Sequence, residues 1–294
     1  MEFPLWAVFG LSSASLSALM MLLQERLKIE GFVLAFWIKV TCALVMLPFV
    51  LENGIPENPR FYLLLGVGAV MYAVSDVIFF RAIPKIGAGM VSRLLPMAVI
   101  LSFLLWFVVN PALLDKYLAH PVPAGLIFVV LCASAWCAMH LTRCEVTRGA
   151  VRVIWFVIFA ATVGPVLAKA VTGYADIGRG PYAYVFFEAL MMLTLWWVFF
   201  LIRRPVSAGA LLAKRSMAGG MVISCVAAGM ILLNTYAYYN VDNPAYIPAI
   251  KFLDTIIIMA VYPLMGLKSR GNLVAGIGVV ACAAALVLLK AQIP

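Results

Sequence analysis

The chain has 294 residues, of which 66% are hydrophobic and 11% are charged, whereas soluble domains average about 45–50% and about 25%. This composition excludes a water-soluble globular protein. At about 20 residues per membrane-spanning helix, the length accommodates about ten spans and leaves no room for a separate catalytic or nucleic-acid-binding domain. The formal net charge of +9 fits Lys and Arg residues in cytoplasmic loops, so it does not indicate a nucleic-acid partner.

Apolar runs of about 20 residues, bounded by Gly, Pro and charge clusters, predict ten transmembrane helices. They are residues 4–24, 31–51, 60–82, 87–109, 122–142, 150–171, 181–202, 216–239, 245–266 and 271–290. All should be helical, because hydrocarbon offers no partner to backbone N–H and C=O groups and the runs lack the alternation of a β-barrel. We therefore expect an all-α integral membrane protein.

The charges of the connecting segments predict the orientation. The odd-numbered connections carry most of the Lys and Arg residues, such as Arg26, Lys28, Arg203 and Arg204, whereas the even-numbered connections are richer in Asp and Glu. By the positive-inside rule the odd connections face the cytoplasm, which places both termini outside. We expect the membrane to be the cytoplasmic (inner) membrane of a bacterium.

The two halves of the sequence look like copies. A shift of 158 residues lays residues 81–96 onto 239–254 and matches Arg93 to Lys251, and a shift of 149 lays 31–39 onto 180–188 and matches Lys39 to Glu188. Each copy, residues 1–145 and 146–294, would hold five spans. An odd number makes the copies antiparallel, and such inverted repeats are typical of alternating-access transporters with a midplane site between the halves.

Ten spans in two inverted five-helix repeats resemble the EamA-type proteins of the drug/metabolite transporter superfamily. The resemblance rests on short turns at residues 83–86 and 240–244, a small-residue-rich helix after the turn, and a closing helix that reads GNLVAGIGVVA at 271–281. It covers nearly the whole chain and implies a ten-helix transporter fold. These patterns identify no substrate.

Ionisable residues inside the predicted spans carry the functional information, because a charge near the bilayer centre costs about 2.5–3.5 kcal/mol and must face the bundle interior. They are Lys39, Asp76, Arg93, Glu188, Lys251 and Asp254. At 1.5 Å per residue, Lys39, Glu188 and Asp254 lie nearest the centre. Lys169 lies close to a span end, where its side chain is expected to snorkel toward the membrane surface.

These charges predict a polar cavity that binds substrate. Lys39, Arg93 and Lys251 would hold an anionic group of the substrate, since both side-chain types bind carboxylate and phosphate. Glu188 is the first candidate for a proton carrier, because a low-dielectric cavity favours the protonated form of a carboxyl group. No metal or catalytic role is predicted for any of them.

The remaining carboxylates, those of Asp76 and Asp254, are further proton-coupling candidates. The alternative is internal neutralisation, in which three cations balance three carboxylates and Lys251 pairs with Asp254 at i,i+3 on one helix face. Tyr238 and Tyr239 are expected in the aromatic belt at the membrane surface. Three uncharged side chains complete the candidate binding residues: Trp37, Tyr72 and Asn234.

We therefore expect a secondary transporter of a small polar metabolite, anionic or zwitterionic, that works by alternating access, with proton coupling as one option. The alternative is a flippase or carrier of an amphiphile such as a lipid phosphate or a lipid-linked sugar. No nucleotide-binding motif, metal-ligand spacing or nucleophile constellation is present, so neither an enzyme nor a cofactor is expected. The expected partners are the substrate and membrane lipids, with the chain a monomer or a homodimer.

Overall fold

The computed structural model describes residues 4–86, 95–141, 148–203, 206–264 and 272–292. Within these ranges every regular element is an α-helix. The helices are α1 (Leu5–Leu27), α2 (Gly31–Asn53), α3 (Pro59–Ile86), α4 (Met97–Val109), α5 (Pro111–Ala119), α6 (Pro121–His140), α7 (Arg148–Thr172), α8 (Gly180–Arg203), α9 (Ala208–Leu211), α10 (Lys214–Tyr239), α11 (Tyr246–Lys251), α12 (Leu253–Leu264) and α13 (Leu273–Lys290).

Nine helical segments of the described residues are long and apolar enough to cross a membrane, with α11 and α12 together forming one of them. Large apolar side chains cover the outside of the bundle. Leu264 is 86% exposed and Val274 is 78% exposed, which would be unfavourable in water and is suited to lipid. The prediction of an all-α integral membrane protein is confirmed at this level.

The fourth predicted span, residues 87–109, is described only from residue 95 onward, where α4 forms its second half. A helix that the sequence did not predict, α5, follows α4 directly. The two helices are bent by 106° relative to each other. Pro111 explains the bend. A proline cannot continue α4, since it lacks the N–H and its ring clashes with the preceding turn, but it is well suited to the first position of a new helix.

The two predicted turns differ in outcome. Residues 240–244 form a turn between α10 and α11, as expected. The turn predicted at 83–86 is wrong, because α3 continues to Ile86. Pro84 lies within that helix, which ends two residues later at Ile86. The ninth predicted span is also divided, since α11 ends at Lys251 and α12 begins at Leu253.

The helices pack so that four of them surround the middle of the bundle. α2 packs against α8 and α10, and α3 packs against α7 and α8, while α8 also contacts α10. Further out, α1 packs against α10, α11 and α12, α4 packs against α7, and α6 packs against α13. Side chains on the inner faces of α2, α3, α8 and α10 are therefore shielded from lipid, and this is where the candidate site lies.

Polar contacts close one end of the bundle around the turn that joins α10 to α11. The hydroxyl groups of Tyr117 on α5 and Tyr246 on α11 share a buried hydrogen bond. Asn243 Nδ2 donates to the carbonyl oxygen of Phe103 at 3.4 Å, and Lys290 Nζ lies 2.7 Å from Asp242 Oδ2. The turn is thereby fixed to α4, α5 and α13.

Candidate functional site

A buried salt bridge joins α2 to α8 in the interior. Lys39 Nζ lies 2.7 Å from Glu188 Oε2, and the two residues are only 7% and 5% exposed. Each lies about 12 Å along its helix from the helix start, at 1.5 Å per residue, so the pair is well inside the apolar segments. A buried charge needs a closely placed partner, and each of these two residues supplies it for the other.

Two residues of α3 complete the charged part of the site. Asp76 interacts electrostatically with both Lys39 and Glu188, and Tyr72, one turn earlier on the same face of α3, lies near Glu188 and Asp76. Among the described residues Asp76 has neither a hydrogen bond nor an ion pair. The structure therefore brings four of the predicted site residues together, and Asp76 is the carboxylate without a direct partner in the described ranges.

Tyr72 packs against a backbone position of α7 where only a glycine leaves enough space. Its ring and hydroxyl lie directly over the backbone of Gly164 on α7, where a Cβ atom would lie 2.7 Å from Tyr72 Cζ. Since real Cβ atoms do not approach other heavy atoms this closely, Gly164 is what permits α3 and α7 to approach with Tyr72 between them.

Two tyrosines that were not among the predicted site residues also belong to the site. The Tyr184 hydroxyl donates to Glu188 Oε1 at 3.4 Å. Tyr238 is 7% exposed and interacts electrostatically with Tyr72 and Tyr184, so its expected position in the interfacial belt is wrong. The spacing could have revealed Tyr184, because residues four apart share a helix face and Tyr184 precedes Glu188 by one turn.

Asn234 lies one turn before Tyr238 on α10, with its amide beside the Tyr238 hydroxyl. Its Oδ1 atom is buried and has no hydrogen-bond donor in the described part of the chain. Buried polar atoms are normally satisfied, so a buried acceptor without a donor calls for an explanation.

We use the name polar centre for the following residues: Lys39, Tyr72, Asp76, Tyr184, Glu188, Asn234 and Tyr238.

Comparison with protein-family models and with curated proteins gave no match. The chemistry of the polar centre is therefore the basis for assigning a function. It offers one ammonium group, two carboxylates, three phenolic hydroxyls and one amide, all contributed by four helices that meet in the middle of the bundle. Such a set can bind a small polar solute and can exchange protons at its carboxylates.

A second group of charges, Lys251 and Asp254, lies on α11 and α12 against α1. Asp254 Oδ2 accepts a hydrogen bond from Ser17 Oγ at 2.9 Å, and its Oδ1 accepts one from Thr255 Oγ1 at 3.1 Å. Lys251 interacts with Asp254 electrostatically, but no salt bridge joins these two described residues. The pairing expected at i,i+3 is thus not made directly, because the carboxylate is held by hydroxyl groups of Ser17 and Thr255.

The other candidates have different surroundings. Trp37 Nε1 donates to the carbonyl oxygen of Leu211 at 3.0 Å, and its ring packs against Gly220, so it joins α2 to α9 and α10 and does not belong to the polar centre. Arg93 lies outside the described residues. Lys169 does not snorkel, since its Nζ donates to the Tyr238 carbonyl oxygen at 2.9 Å, where the C-terminal end of a helix favours a cation.

Proposed function

We propose that this chain is a secondary transporter of a small polar metabolite, with the polar centre as its binding site. The observation that carries the proposal is the buried Lys39–Glu188 salt bridge with Asp76 beside it. Ionisable groups are costly at membrane depth, and a bundle that only needed to pack would avoid them. In membrane proteins such groups mark pathways for solutes, ions or protons.

The packing of the helices supports an architecture of two inverted repeats. We number the spans 1 to 5 as α1, α2, α3, α4 and α6, and the spans 6 to 10 as α7, α8, α10, α11 with α12, and α13. Exchanging the two halves replaces each span by the one five positions away, so that span 1 becomes 6 and span 8 becomes 3. The observed contact of spans 1 and 8 then becomes that of 3 and 6, the contact of 2 and 8 becomes that of 3 and 7, and the contact of 1 and 9 becomes that of 4 and 6. The contacts 2·7 and 5·10 convert into themselves.

Every one of these exchanged contacts is present, as a two-fold axis in the membrane plane would require. Lys39 and Glu188 are the positions matched by the shift of 149 residues, and they touch each other, so the axis would pass between them. This supports a transporter of the drug/metabolite type, in which the halves rock about a site at their interface and both termini lie outside. Protons would be exchanged at Glu188 or Asp76.

A second candidate function is the carriage of an amphiphile. It is favoured by an apolar groove of about 540 Å³ on the surface between α12 and α13. It is lined by small residues, Ala260, Gly276 and Ala281, and by larger apolar ones such as Ile256, Met259 and Ile277. Such a groove suits a hydrocarbon chain, and an amphiphile would hold its tail in lipid while its polar head crosses the protein.

Transport into liposomes tests the proposal. Purified protein is first screened for thermal stabilisation by a panel of polar metabolites, because a ligand that binds the folded state raises its stability. Each stabilising compound is then measured for uptake into proteoliposomes. Lys39→Ala and Glu188→Gln should abolish uptake, while Glu57→Gln, which changes a side chain that is 92% exposed, should leave it intact.

Uptake at the wild-type rate by folded Lys39→Ala and Glu188→Gln proteins would contradict the proposed site. Equilibration of a fluorescent phospholipid between the leaflets, without uptake of any water-soluble compound, would replace the proposal with the second candidate function.

A further inference from the structure

The described charges of the polar centre do not balance. It contains one cation, Lys39, and two carboxylates, Asp76 and Glu188. The Lys39 ammonium is engaged at 2.7 Å by Glu188, whereas Asp76 has no hydrogen bond or ion pair among the described residues. Asp76 is half-buried, and a carboxylate that is partly removed from water favours a positive partner. The negative charge of Asp76 is therefore available to a cationic ligand.

Hydrogen-bond acceptors in the polar centre also exceed the donors that reach them. Asn234 Oδ1 is buried and receives no donor from the described residues. Within the described part of the chain, Glu188 Oε1 receives the Tyr184 hydroxyl at the long distance of 3.4 Å, and no donor reaches the oxygens of Asp76. A ligand that satisfies this arrangement must bring donors, and an ammonium group brings up to three donors and no acceptor.

The aromatic residues of the polar centre suit the same ligand. Tyr72, Tyr184 and Tyr238 come from α3, α8 and α10 and interact electrostatically with one another. Tyr72 is held in position over Gly164. Tyrosine rings stabilise a nearby cation through their negative faces, and their hydroxyl oxygens accept hydrogen bonds. The negative ring faces would repel an anionic ligand.

We infer that the polar centre binds a protonated amine, with Asp76 as the counter-ion and Asn234 Oδ1 as a second acceptor. This inference rests on the transport function proposed above and deepens it by naming the substrate class. It replaces the expected anionic group by an ammonium group. An anion would meet a Lys39 that is already paired and would be repelled by Asp76, whereas a zwitterion can enter with its ammonium group toward Asp76.

Three probes of matched size test the inference: butylammonium, 4-aminobutyrate and butyrate. The purified protein in detergent is titrated with each at constant ionic strength and pH, and binding is read as a rise in the unfolding temperature. Butylammonium and 4-aminobutyrate should stabilise the protein, and butyrate should not. Asp76→Asn should weaken the apparent affinity for butylammonium by about ten- to a hundredfold, the value of a lost charged hydrogen bond.

Two further variants separate loss of binding from loss of folding. Asp76→Glu keeps the carboxylate and should retain butylammonium binding within about tenfold. Asp115→Asn makes the same chemical change as Asp76→Asn at an exposed carboxylate on α5, and should bind as the wild type does. Stabilisation by butyrate alone, absence of stabilisation by both ammonium probes, or unchanged binding by folded Asp76→Asn would overturn the inference.

The two proposals can fail separately. If butylammonium binds in a manner that depends on Asp76 but no amine enters proteoliposomes, the transport function is wrong and the amine site stands. If proteoliposomes accumulate an anionic metabolite and neither ammonium probe binds, the transport function stands and the amine site is wrong.

Discussion

Lys39 and Glu188 form a salt bridge between two residues that are 149 positions apart in the chain, and the same shift of 149 aligns the second predicted span with the seventh. Two independent observations, one from sequence self-similarity and one from geometry, therefore meet at this pair. In a structure with a two-fold axis, only residues beside the axis contact their own counterparts. Under the proposed two-fold axis, the salt bridge would lie where the two repeats face each other.

The contributions of Lys39 and Glu188 to the free energy of unfolding should be strongly coupled. Lys39→Met leaves the Glu188 carboxylate buried without its partner, and removing one member of a buried pair costs about 3–5 kcal/mol. Glu188→Leu should destabilise for the converse reason. The double variant should recover most of the loss, because a well-packed apolar pair replaces buried charges at little cost. Denaturant unfolding in detergent of the four proteins of the cycle measures the coupling.

Glu57→Gln provides the matched control for that cycle, since Glu57 lies 4.0 Å from Arg179 with its side chain 92% exposed. No change in unfolding is expected there, because exposed pairs are weakened by solvent and salt. Strictly additive losses at Lys39 and Glu188 would show that the two residues do not act as a pair.

Gly164→Ala should displace Tyr72. The added Cβ atom would lie 2.7 Å from Tyr72 Cζ and 3.0 Å from its Cε1 atom, so the ring must move or the α3–α7 contact must open. Overpacking of this kind costs about 1–3 kcal/mol. Ligand-induced stabilisation should fall as well, and Tyr72→Phe in the Gly164→Ala background should restore part of the stability by removing the hydroxyl.

Gly68→Ala on α3 is the control, because no heavy atom lies within 4 Å of its added Cβ atom. That variant should match the wild type or gain about 1 kcal/mol from the better helix propensity of alanine. Equal changes in stability from Gly164→Ala and Gly68→Ala would show that the packing of Tyr72 on Gly164 does not contribute to stability.

Ser17→Ala tests the second group of charges. It removes the hydroxyl that donates to the buried Asp254 carboxylate at 2.9 Å, and a buried acceptor left with one donor fewer should cost about 1–3 kcal/mol. Ser15→Ala is the matched change on the same helix, at an exposed residue whose hydroxyl bonds only the Leu11 carbonyl oxygen. It should change stability by less than about 0.5 kcal/mol. An equal loss at both serines would argue against a role for Ser17 in holding Asp254.

The orientation remains a prediction from the positive-inside rule. A periplasm-active reporter fused after Pro294 should be active, and one inserted in the connection between α8 and α10 should be inactive. The connection carries Arg203, Arg204, Lys214 and Arg215; replacing these four by Gln should weaken or invert the orientation. An inactive reporter after Pro294 would show that the C-terminus lies in the cytoplasm and would reverse the predicted orientation.

The sequence predicted the membrane-spanning helices well because each is an uninterrupted apolar run, and hydrocarbon leaves the backbone of such a run only the helical solution. It did not predict α5 or the break after Lys251. Both depend on how a short segment packs against its neighbours, and α5 is held by the contact of Tyr117 with Tyr246 on α11. A pairing 129 residues apart leaves no local signal in the sequence.

The candidate site was predictable in its charges but not in its surroundings. Lys39, Asp76 and Glu188 are conspicuous because ionisable residues are rare inside apolar runs. Tyr238 is not, because a tyrosine near a span end is equally typical of the interfacial belt. Whether Trp37 lines the site was also beyond the sequence, since the direction of its ring depends on the partner at Leu211.

The proposed axis would require the two halves to carry different residues at the positions of Lys39 and Glu188. Two copies of residues 1–145 arranged about that axis would set one Lys39 against another, and two copies of residues 146–294 would set Glu188 against Glu188. Either homotypic assembly would bury like charges at contact distance, which is strongly unfavourable. If the halves are related by this axis, separately expressed residues 1–145 and 146–294 should assemble as a heterodimer and not as homodimers, and joining them in one chain would fix that stoichiometry.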